Sequence, residues 1–569
     1  MQKQEQSMQG SVSLRSQVLR QFEALRTARQ PFERVWTDVS RFMGPGYSGF
    51  LDLAPHSERE STIVDATARR AAEIFSAGLL SGASSPSERW FVLGLDDQEL
   101  ADQPEVREWL QKVEDLFYRV LAEGGFYREQ ALAYHQTGLF GWQCLYVDAT
   151  PTGGIRFRAL PLNEIYISEN AQGEVDTVFR RFQLSARDAA ARFGLEQLSD
   201  AVRRACDDPA RQSELFAFVH AVFPRGERQR SLTENHLPYA SVYLDLGEGK
   251  VMSVGGYEEL PYVVARFRRV PASAYSTSPG TEALADVKMI NEMKRLVLEA
   301  GQLAVAPPYL VPDDGFVGRF SFEPRAMNYY RRAEGNSLAD FGPLSVGSSP
   351  GFTWELMEST RQDINQAFFV DLFLTIRSRI QQGGSPTAME VAELSSERMF
   401  LLGPLLVNQQ QENFSRLFSR LHRLLERRGE LPEAPEILQG QLLRAEYVSP
   451  LMLAQKQSRN RAILETYRDA QSMAGVAPEI FDNFAHDENL RRLMQSRGFP
   501  QTGMRSVAEV AELREKRSQA QLEAQKYEQA KSLAQLAKLV PDLSHAPEKG
   551  SPADLLLEAS QAQARSGEA

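Results

Sequence analysis

Six prolines, Pro307, Pro308, Pro312, Pro324, Pro343 and Pro350, fall within 307–350, and the apolar residues on either side of them recur at helical spacing. Proline fixes φ and removes a backbone N–H, so no long helix can run through this stretch. Upstream, after Pro279-Gly280, residues Leu284, Val287, Ile290, Met293, Leu296 and Val297 share one helical face up to about Ala304, a rod of roughly 37 Å at about 1.5 Å per residue. Downstream, Thr353 begins a second helix with Trp354, Met357, Arg361, Ile364 and Phe368 on one side. The order predicts two rods bracketing a small irregular or β-containing module.

The rest of the chain divides by texture. The first 140 residues read as mostly helical, with Val18, Leu19, Phe22 and Leu25, then Leu110, Val113, Leu116, Phe117 and Leu121, at helical spacing and a break at Gly124-Gly125. From about Trp142 to Val270 short β-branched and aromatic runs predict strands at Ile155 to Leu160, Thr177 to Phe182, Leu215 to Phe223, Ser241 to Leu246 and Tyr262 to Arg268, with a helix at Ala186 to Arg192. After Phe373 the polar segment LTIRSRIQQGGSP precedes a capping box, Thr387 with Glu390. A helix of roughly 63 Å is expected from there to Gly429, carrying Leu394, Leu401, Leu402, Leu405, Phe414, Leu417, Phe418, Leu421 and Leu425. Gly403-Pro404 should kink it. Past Pro450 helices are expected at Met452 to Ala474 and Glu479 to Gln495. Residues 505–540, rich in Ala, Gln, Glu and Lys, suit a long solvated helix that packs against copies of itself, and the tail from Pro541 is expected to be mobile.

The 569 residues are three or four domains' worth of chain, with 42% hydrophobic and 24% charged residues, which excludes wholesale disorder. Lys and Arg number 64 against 75 Asp and Glu, a net charge of -11. A protein that wraps DNA is usually basic, because affinity comes from cations that displace counterions. Any nucleic-acid role must therefore be local, or one in which tight binding is unwanted. Two cysteines, Cys144 and Cys206, are too few for a disulfide scaffold or a Cys-based zinc site, and fit a reducing cytoplasm. No run is long and apolar enough to span a membrane, and the opening MQKQEQSMQG has no signal-peptide core, so neither insertion nor secretion is expected.

Catalytic patterns are absent or fail on mechanism. Neither a P-loop nor H-E-x-x-H occurs, and no cofactor is implied. Gly347-Ser348-Ser349-Pro350-Gly351 fits G-x-S-x-G, but the residue after Ser349 would have to donate its N–H to an oxyanion, and proline has none. The chain is expected not to be an enzyme. Arg180-Arg181, Arg268-Arg269, Arg331-Arg332 and Arg427-Arg428 read as solvated or acid-paired, with phosphate contact as the alternative. Arg377 and Arg379 sit in a glycine-containing loop between two helices, presented either into a cavity or pore or simply to solvent. Trp142, Phe157, Phe182, Phe223 and Cys144 read as core.

The order of short motifs says more. Trp90-Phe91-Val92-Leu93, Thr177 to Phe182 followed by LSARDA from Leu184 to Ala189, Leu260 to Val264, Tyr275 to Pro279, Asn291 within a helix, Pro307-Pro308 and Asp313-Asp314-Gly315 resemble the portal protein, or head-to-tail connector, of short-tailed bacteriophages. Thr387 to Val391, Leu402-Gly403-Pro404, Gly429 to Pro432 and Tyr447 to Leu451 continue the series. The likeness covers about residues 10–470. Tyr275-Ser276 departs from it, since the family usually has glycine after the tyrosine.

The resemblance implies an α+β, predominantly helical portal fold with wing, stem, clip and crown regions, twelve copies closing a ring around a channel for double-stranded DNA. The wing would be 1–279, β-rich from about 142, the stem helices 280–304 and 351–373, the clip 305–350 and the tunnel loop 374–386. The wing spine helix and its return would be 387–449, the crown 450–504, with 505–540 a C-terminal helix or barrel and 541–569 a tail. It implies Arg377, Ser378, Arg379, Gln381, Gln382, Gly383 and Gly384 at the channel in the tunnel loop, Glu355, Glu358 and Asp371 on the stem wall, and Arg319, Arg325, Arg331 and Arg332 as clip docking cations. Its partners would be a terminase motor, a tail adaptor, and the major capsid and scaffolding proteins, in a virion assembled in the host bacterial cytoplasm, with no membrane. A tail or internal scaffold protein without a DNA channel is the alternative.

Overall fold

The computed structural model describes residues 2–44, 63–97, 103–150, 153–226, 237–312, 321–330, 342–343, 350–374, 402–438, 443–449, 463–473, 478–496 and 507–538, with a few single positions. Two compact units divide the chain, Met1–Asp96 with Trp109–Phe499, and Asp97–Glu108 with Pro500–Ala569.

In the first unit, helix α1 (Gln2–Met43) and α2 (Thr67–Ala83) precede strand β1 (Phe91–Leu95), followed by α3 (Pro104–Glu123), which counts in this unit from Trp109 onward, and α4 (Phe126–Phe140). The break between α3 and α4 falls at Gly124-Gly125, where Gly125 takes φ +74. The strand-rich region follows: β2 (Trp142–Thr150), β3 (Gly154–Ala159), β4 (Ile165–Glu169), β5 (Val175–Ser185), α5 (Ala186–Phe193), α6 (Asp200–Asp207), β6 (Leu215–Pro224), β7 (Tyr239–Asp245), β8 (Val251–Tyr257) and β9 (Tyr262–Arg266). Each strand read from β-branched runs is present to within a few residues.

Strands β4 to β8 form an antiparallel five-stranded sheet in chain order. It is covered on both faces. Val18, Phe22 and Leu25 of α1 pack on Tyr166, Phe179, Val219, Phe223, Val242 and Leu244. On the other face Ala186, Ala189, Leu198, Val202 and Ala205, on and beside α5 and α6, pack on Phe182, Phe218 and Met252. Two covered faces explain why the central strand β6 reads as a nearly continuous apolar run rather than an alternation.

The two-residue strands β10 (Arg268–Arg269) and β11 (Ser276–Thr277) and a helical turn α7 (Pro279–Glu282) lead into helix α8 (Leu284–Val305). A small sheet of β12 (Tyr309–Pro312), β13 (Met327–Tyr330) and β14 (Gly342–Pro343) separates it from helix α9 (Pro350–Ala367). Two rods bracket a β-containing module, as the proline cluster predicts.

The described part of the next helix runs 402–427, ending as α10 (Ser415–Arg427). Its cap at Thr387 lies outside the described residues. Its irregularity is a π-helical turn at Gln409–Phe414. At about 100° per residue, Leu405 and Phe414 fall on opposite faces of a regular helix, yet both are buried; the wider turn between them takes up the slip. Gly429, at φ +64, ends the helix: its N–H donates to the Glu426 carbonyl, and the Glu430 N–H to the Leu425 carbonyl.

Strand β15 (Leu443–Tyr447) then returns to pair antiparallel with β1, Phe91 opposite Tyr447, and the Val448 N–H donates to the Trp90 carbonyl. Two of the quoted motifs are thus one ladder. Around it Trp90, Phe91, Tyr118, Phe414, Phe418 and Tyr447 form a continuous ring-on-ring cluster. Helix α11 (His486–Ser496) completes the unit. In the second unit α12 (Val507–Lys538) is the long solvated helix expected from its composition, and Glu509 lies 3.9 Å from Arg107.

Candidate functional site: the paired helices and the module between them

The N-terminal end of α8 is fixed to α4. Ser278 caps α7 by accepting the Thr281 N–H, and its own hydroxyl donates to the Leu139 carbonyl at 2.8 Å. Gly280 lies so close to Leu139 that a Cβ would stand 2.6 Å from its carbonyl oxygen, which excludes any other residue. The C-terminal end of α9 is fixed to α2, where Phe368 and Phe373 pack edge-on against Phe75. Since α2 and α4 are packed together, the start of one rod and the end of the other share a base. The pair therefore runs antiparallel, with the module at its far end.

Asp65 locks that base. Its carboxylate is 3% exposed and accepts from Thr67, while Oδ2 lies 3.1 Å from Arg361 Nη2 on α9 and 3.4 Å from Lys294 Nζ on α8. The Val64 and Asp65 N–H groups donate to Asn291 Oδ1 of α8 at 2.8 and 3.0 Å. Burial alone would raise the carboxyl pKa, but the Thr67 bonds, Arg361 and Lys294 hold it down to about 2. Asn291 gains its place as a motif residue here.

Beyond this node the expected apolar face of α8 changes character. Val287 and Ile290 are buried, whereas Leu296, Leu298 and Val305 are exposed. On α9, Met357, Thr360 and Ile364 are buried, as is Phe368 in the turn just beyond it, while Trp354 and Leu356 are exposed. An open groove of about 700 Å³ lies at the end of α8, lined by Val297, Leu298, Gly301, Gln302, Val305, Ala306, Pro324 and Arg325. In the module Phe322, Met327 and Tyr329 are exposed too. So much outward apolar surface on one part of a chain marks a place where another surface docks.

Glu355, Glu358 and Asp371 are all exposed. Glu358 lies 3.3 Å from Arg361, and Asp371 follows the turn at Phe368-Phe369, where Phe369 takes φ +57, so it does not continue the face of the other two. Arg325 is exposed at the groove, in a left-handed turn at φ +64. Arg319, Arg331, Arg332 and 375–384, which contain Arg377, Ser378, Arg379, Gln381, Gln382, Gly383 and Gly384, lie outside the described residues, as does Ser349. The other arginine pairs end on acids: Arg180 on Glu164, Arg268 on Glu282, Arg428 on Glu430.

The buried arginines are ones the sequence did not single out. Arg266 is fully enclosed between Glu412 of the π-turn and Glu169, with Gly173 and Ala274 carbonyls completing its fork. Arg420 meets Asp148 and Glu259, and Arg29 donates to the Leu162, Asn163 and Ile165 carbonyls while lying 3.7 Å over the Tyr166 ring. These fasten helices to sheets. Cys144 is buried and its thiol pKa is raised by that burial, which suits packing rather than nucleophilic chemistry. Among the described residues there is no cluster of acids, His and Cys able to hold a metal, and no helix long and apolar enough to cross a membrane.

Comparison with known proteins supplies the context for this arrangement. The model of the family described as bacteriophage head to tail connecting protein matches residues 15–504. A portal protein of Salmonella phage epsilon15 is 28% identical over 535 residues, 93% of this chain and 95% of that one. A probable portal protein of Bordetella phage BPP-1 is 27% identical over 480 residues, 83% of this chain and 85% of that one. Among solved structures, the neck of an empty GTA particle aligns with 65% of this chain and 86% of its own at 14% identity. Its TM-score of 0.25 is too low to place one element on another.

Proposed function

This chain belongs to the family of bacteriophage head to tail connecting proteins and serves as a head-to-tail connector, or portal; from that premise we propose that twelve copies close a ring at one capsid vertex through which double-stranded DNA is packaged and ejected. Helices α8 and α9 are the stem, the module of β12 to β14 is the clip, 374–386 is the tunnel loop and the helix ending in α10 is the wing spine. The crown lies at 450–504, and 505–540, which contains α12, is a C-terminal helix or barrel. The observation that carries this reading is the half-buried helical pair: fixed at its base by Asp65, it leaves its outer apolar half for a neighbour to cover.

A ring closes when a heterologous contact repeats by pure rotation. The channel must let DNA slide in both directions, so strong phosphate binding would be a defect, and each neutralised phosphate would add affinity and salt dependence. The net charge of -11 per chain and the exposed acids of α9 suit a weakly repelling conduit. Arg377 and Arg379 add a local positive girdle that touches DNA transiently. The clip, with Arg319, Arg325, Arg331 and Arg332, docks a separate terminase motor and later the tail adaptor. Catalysis is left to the motor.

Negative-stain imaging of the purified full chain tests the reading. Hollow rings of about twelve subunits are expected; a monomer or a filament at all concentrations counts against it.

A further inference from the structure

The Asp65 node also sets the two helices in register. Lys294 of α8 and Arg361 of α9 reach the same carboxylate oxygen, so these residues stand at about the same level along the pair. Counting seven residues away from the base along each antiparallel helix, about 10 Å at 1.5 Å per residue, gives Gly301 on α8 and Trp354 on α9. Gly301 lies in the lining of the open groove, and nothing stands within 4 Å of where its Cβ would be. Trp354 is 58% exposed, whereas Trp36, Trp90, Trp109 and Trp142 are all buried. An apolar socket and an outward indole therefore sit at one height on different helices.

Equal height is what a closed ring requires. A contact repeated with any rise along the axis generates a helix, and only a contact without rise returns to its start. Charge agrees with shape. Arg325 lines the groove and Glu355 follows Trp354, and neither is ion-paired among the described residues. We propose that the occupant of the groove at Gly301 is Trp354 of a second copy of this chain, with that copy's Glu355 beside Arg325. The contact rests on the ring reading, with the helical pair standing along the ring axis. It moves Glu355 from the channel wall, and Arg325 from the docking cations of the clip, to the seam between copies, leaving Glu358 and Asp371 as wall candidates and Arg319, Arg331 and Arg332 as docking cations. A central tryptophan with a rim ion pair is the residue choice that carries binding energy at interfaces.

Gly301→Leu tests this cleanly. The single chain has room for the side chain and the helix gains a better former, so folding is retained while the socket is filled. On the full-length protein, light-scattering chromatography and imaging should show the concentration at which rings form rising at least tenfold for Gly301→Leu and for Trp354→Ala, with circular dichroism and thermal midpoint of the monomer unchanged. Arg325→Glu and Glu355→Arg should each weaken rings, and together restore them. Acrylamide quenching of tryptophan emission in the wild type, which reports mainly the exposed Trp354, should fall on assembly. Rings that form normally in Gly301→Leu, or quenching unaltered by assembly, overturn the docking alone. A wild-type chain that never forms rings overturns the ring reading and this contact with it.

Discussion

The Asp65 carboxylate and the Arg361 guanidinium, 296 positions apart in the chain, lie 3.1 Å from one another at the base of the helical pair. The acid is nearly sealed from solvent and joins Lys294 and Arg361 at one oxygen, so removing it leaves two cations of the paired helices without their shared counter-charge. Asp65→Ala is expected to cost about 3 to 5 kcal/mol, read as a lowered thermal midpoint. Because the folded carboxyl is held near pKa 2, below its usual value, its contribution is complete above about pH 4 and is lost as pH falls toward 2. An Asp65→Asn protein as stable as wild type at pH 7 would show that the charge is not what holds the helices.

Arg266 and Glu412 should behave as a unit. Glu412 reaches the enclosed guanidinium from the π-turn and also accepts the Arg266 backbone N–H. Arg266→Met is expected to cost at least about 3 kcal/mol, and the double variant with Glu412→Gln to cost clearly less than the sum of the two singles. Denaturant titrations of the four proteins measure the coupling; additive losses would mean the two act separately.

His220 gives the five-stranded sheet an acid sensitivity. Its ring is fully buried in the five-stranded sheet, Nδ1 2.6 Å from the Tyr262 hydroxyl and Nε2 3.0 Å from that of Ser241, and it stacks on Tyr243. Burial holds its pKa well below the usual 6.5, and Arg192 and Arg180 push the same way. The unfolded chain therefore takes up the proton first. Stability from this group is complete above about pH 6.5 and falls as pH drops below it, by up to about 1.4 kcal/mol per pH unit. Melting curves at pH 7.5, 6.5 and 5.5 should show a shallower fall in His220→Gln than in wild type, and equal slopes would assign the effect elsewhere.

Arg377 and Arg379, assigned above by proposal to a tunnel loop, are tested in function. With Arg377→Ala and Arg379→Ala combined, packaged and retained DNA is expected to fall several-fold, with a weaker dependence on salt. Unchanged packaging and retention would remove the proposed girdle.

Much of the fold is legible in the residue order. Proline at six positions within 307–350 forbids a through-helix, and the apolar period on either side declares two rods. The β-branched runs from Trp142 to Val270 are strands because their side chains fit a pleated, buried surface. What pattern alone does not show is which polar residue is buried. The sequence draws the eye to Arg268-Arg269, yet Arg266 is the enclosed one, because β9 turns that side chain toward Glu412, whose position depends on a π-turn some 140 residues later. Asp65 looks ordinary in IVDATARR for the same reason.

By itself the sequence determined the local rules: helix and strand periods, the glycine stops at Gly125 and Gly429, and a motif order that places the chain in its family. Only the tertiary structure decided which distant residues meet. Phe91 faces Tyr447, Asp65 joins Lys294 to Arg361, and Leu296 and Trp354 stay outside although their periodicity would bury them. Period reports that a face is apolar and what spacing it has. Whether the chain's own elements or a second copy covers that face depends on contacts across hundreds of residues, which no local pattern encodes.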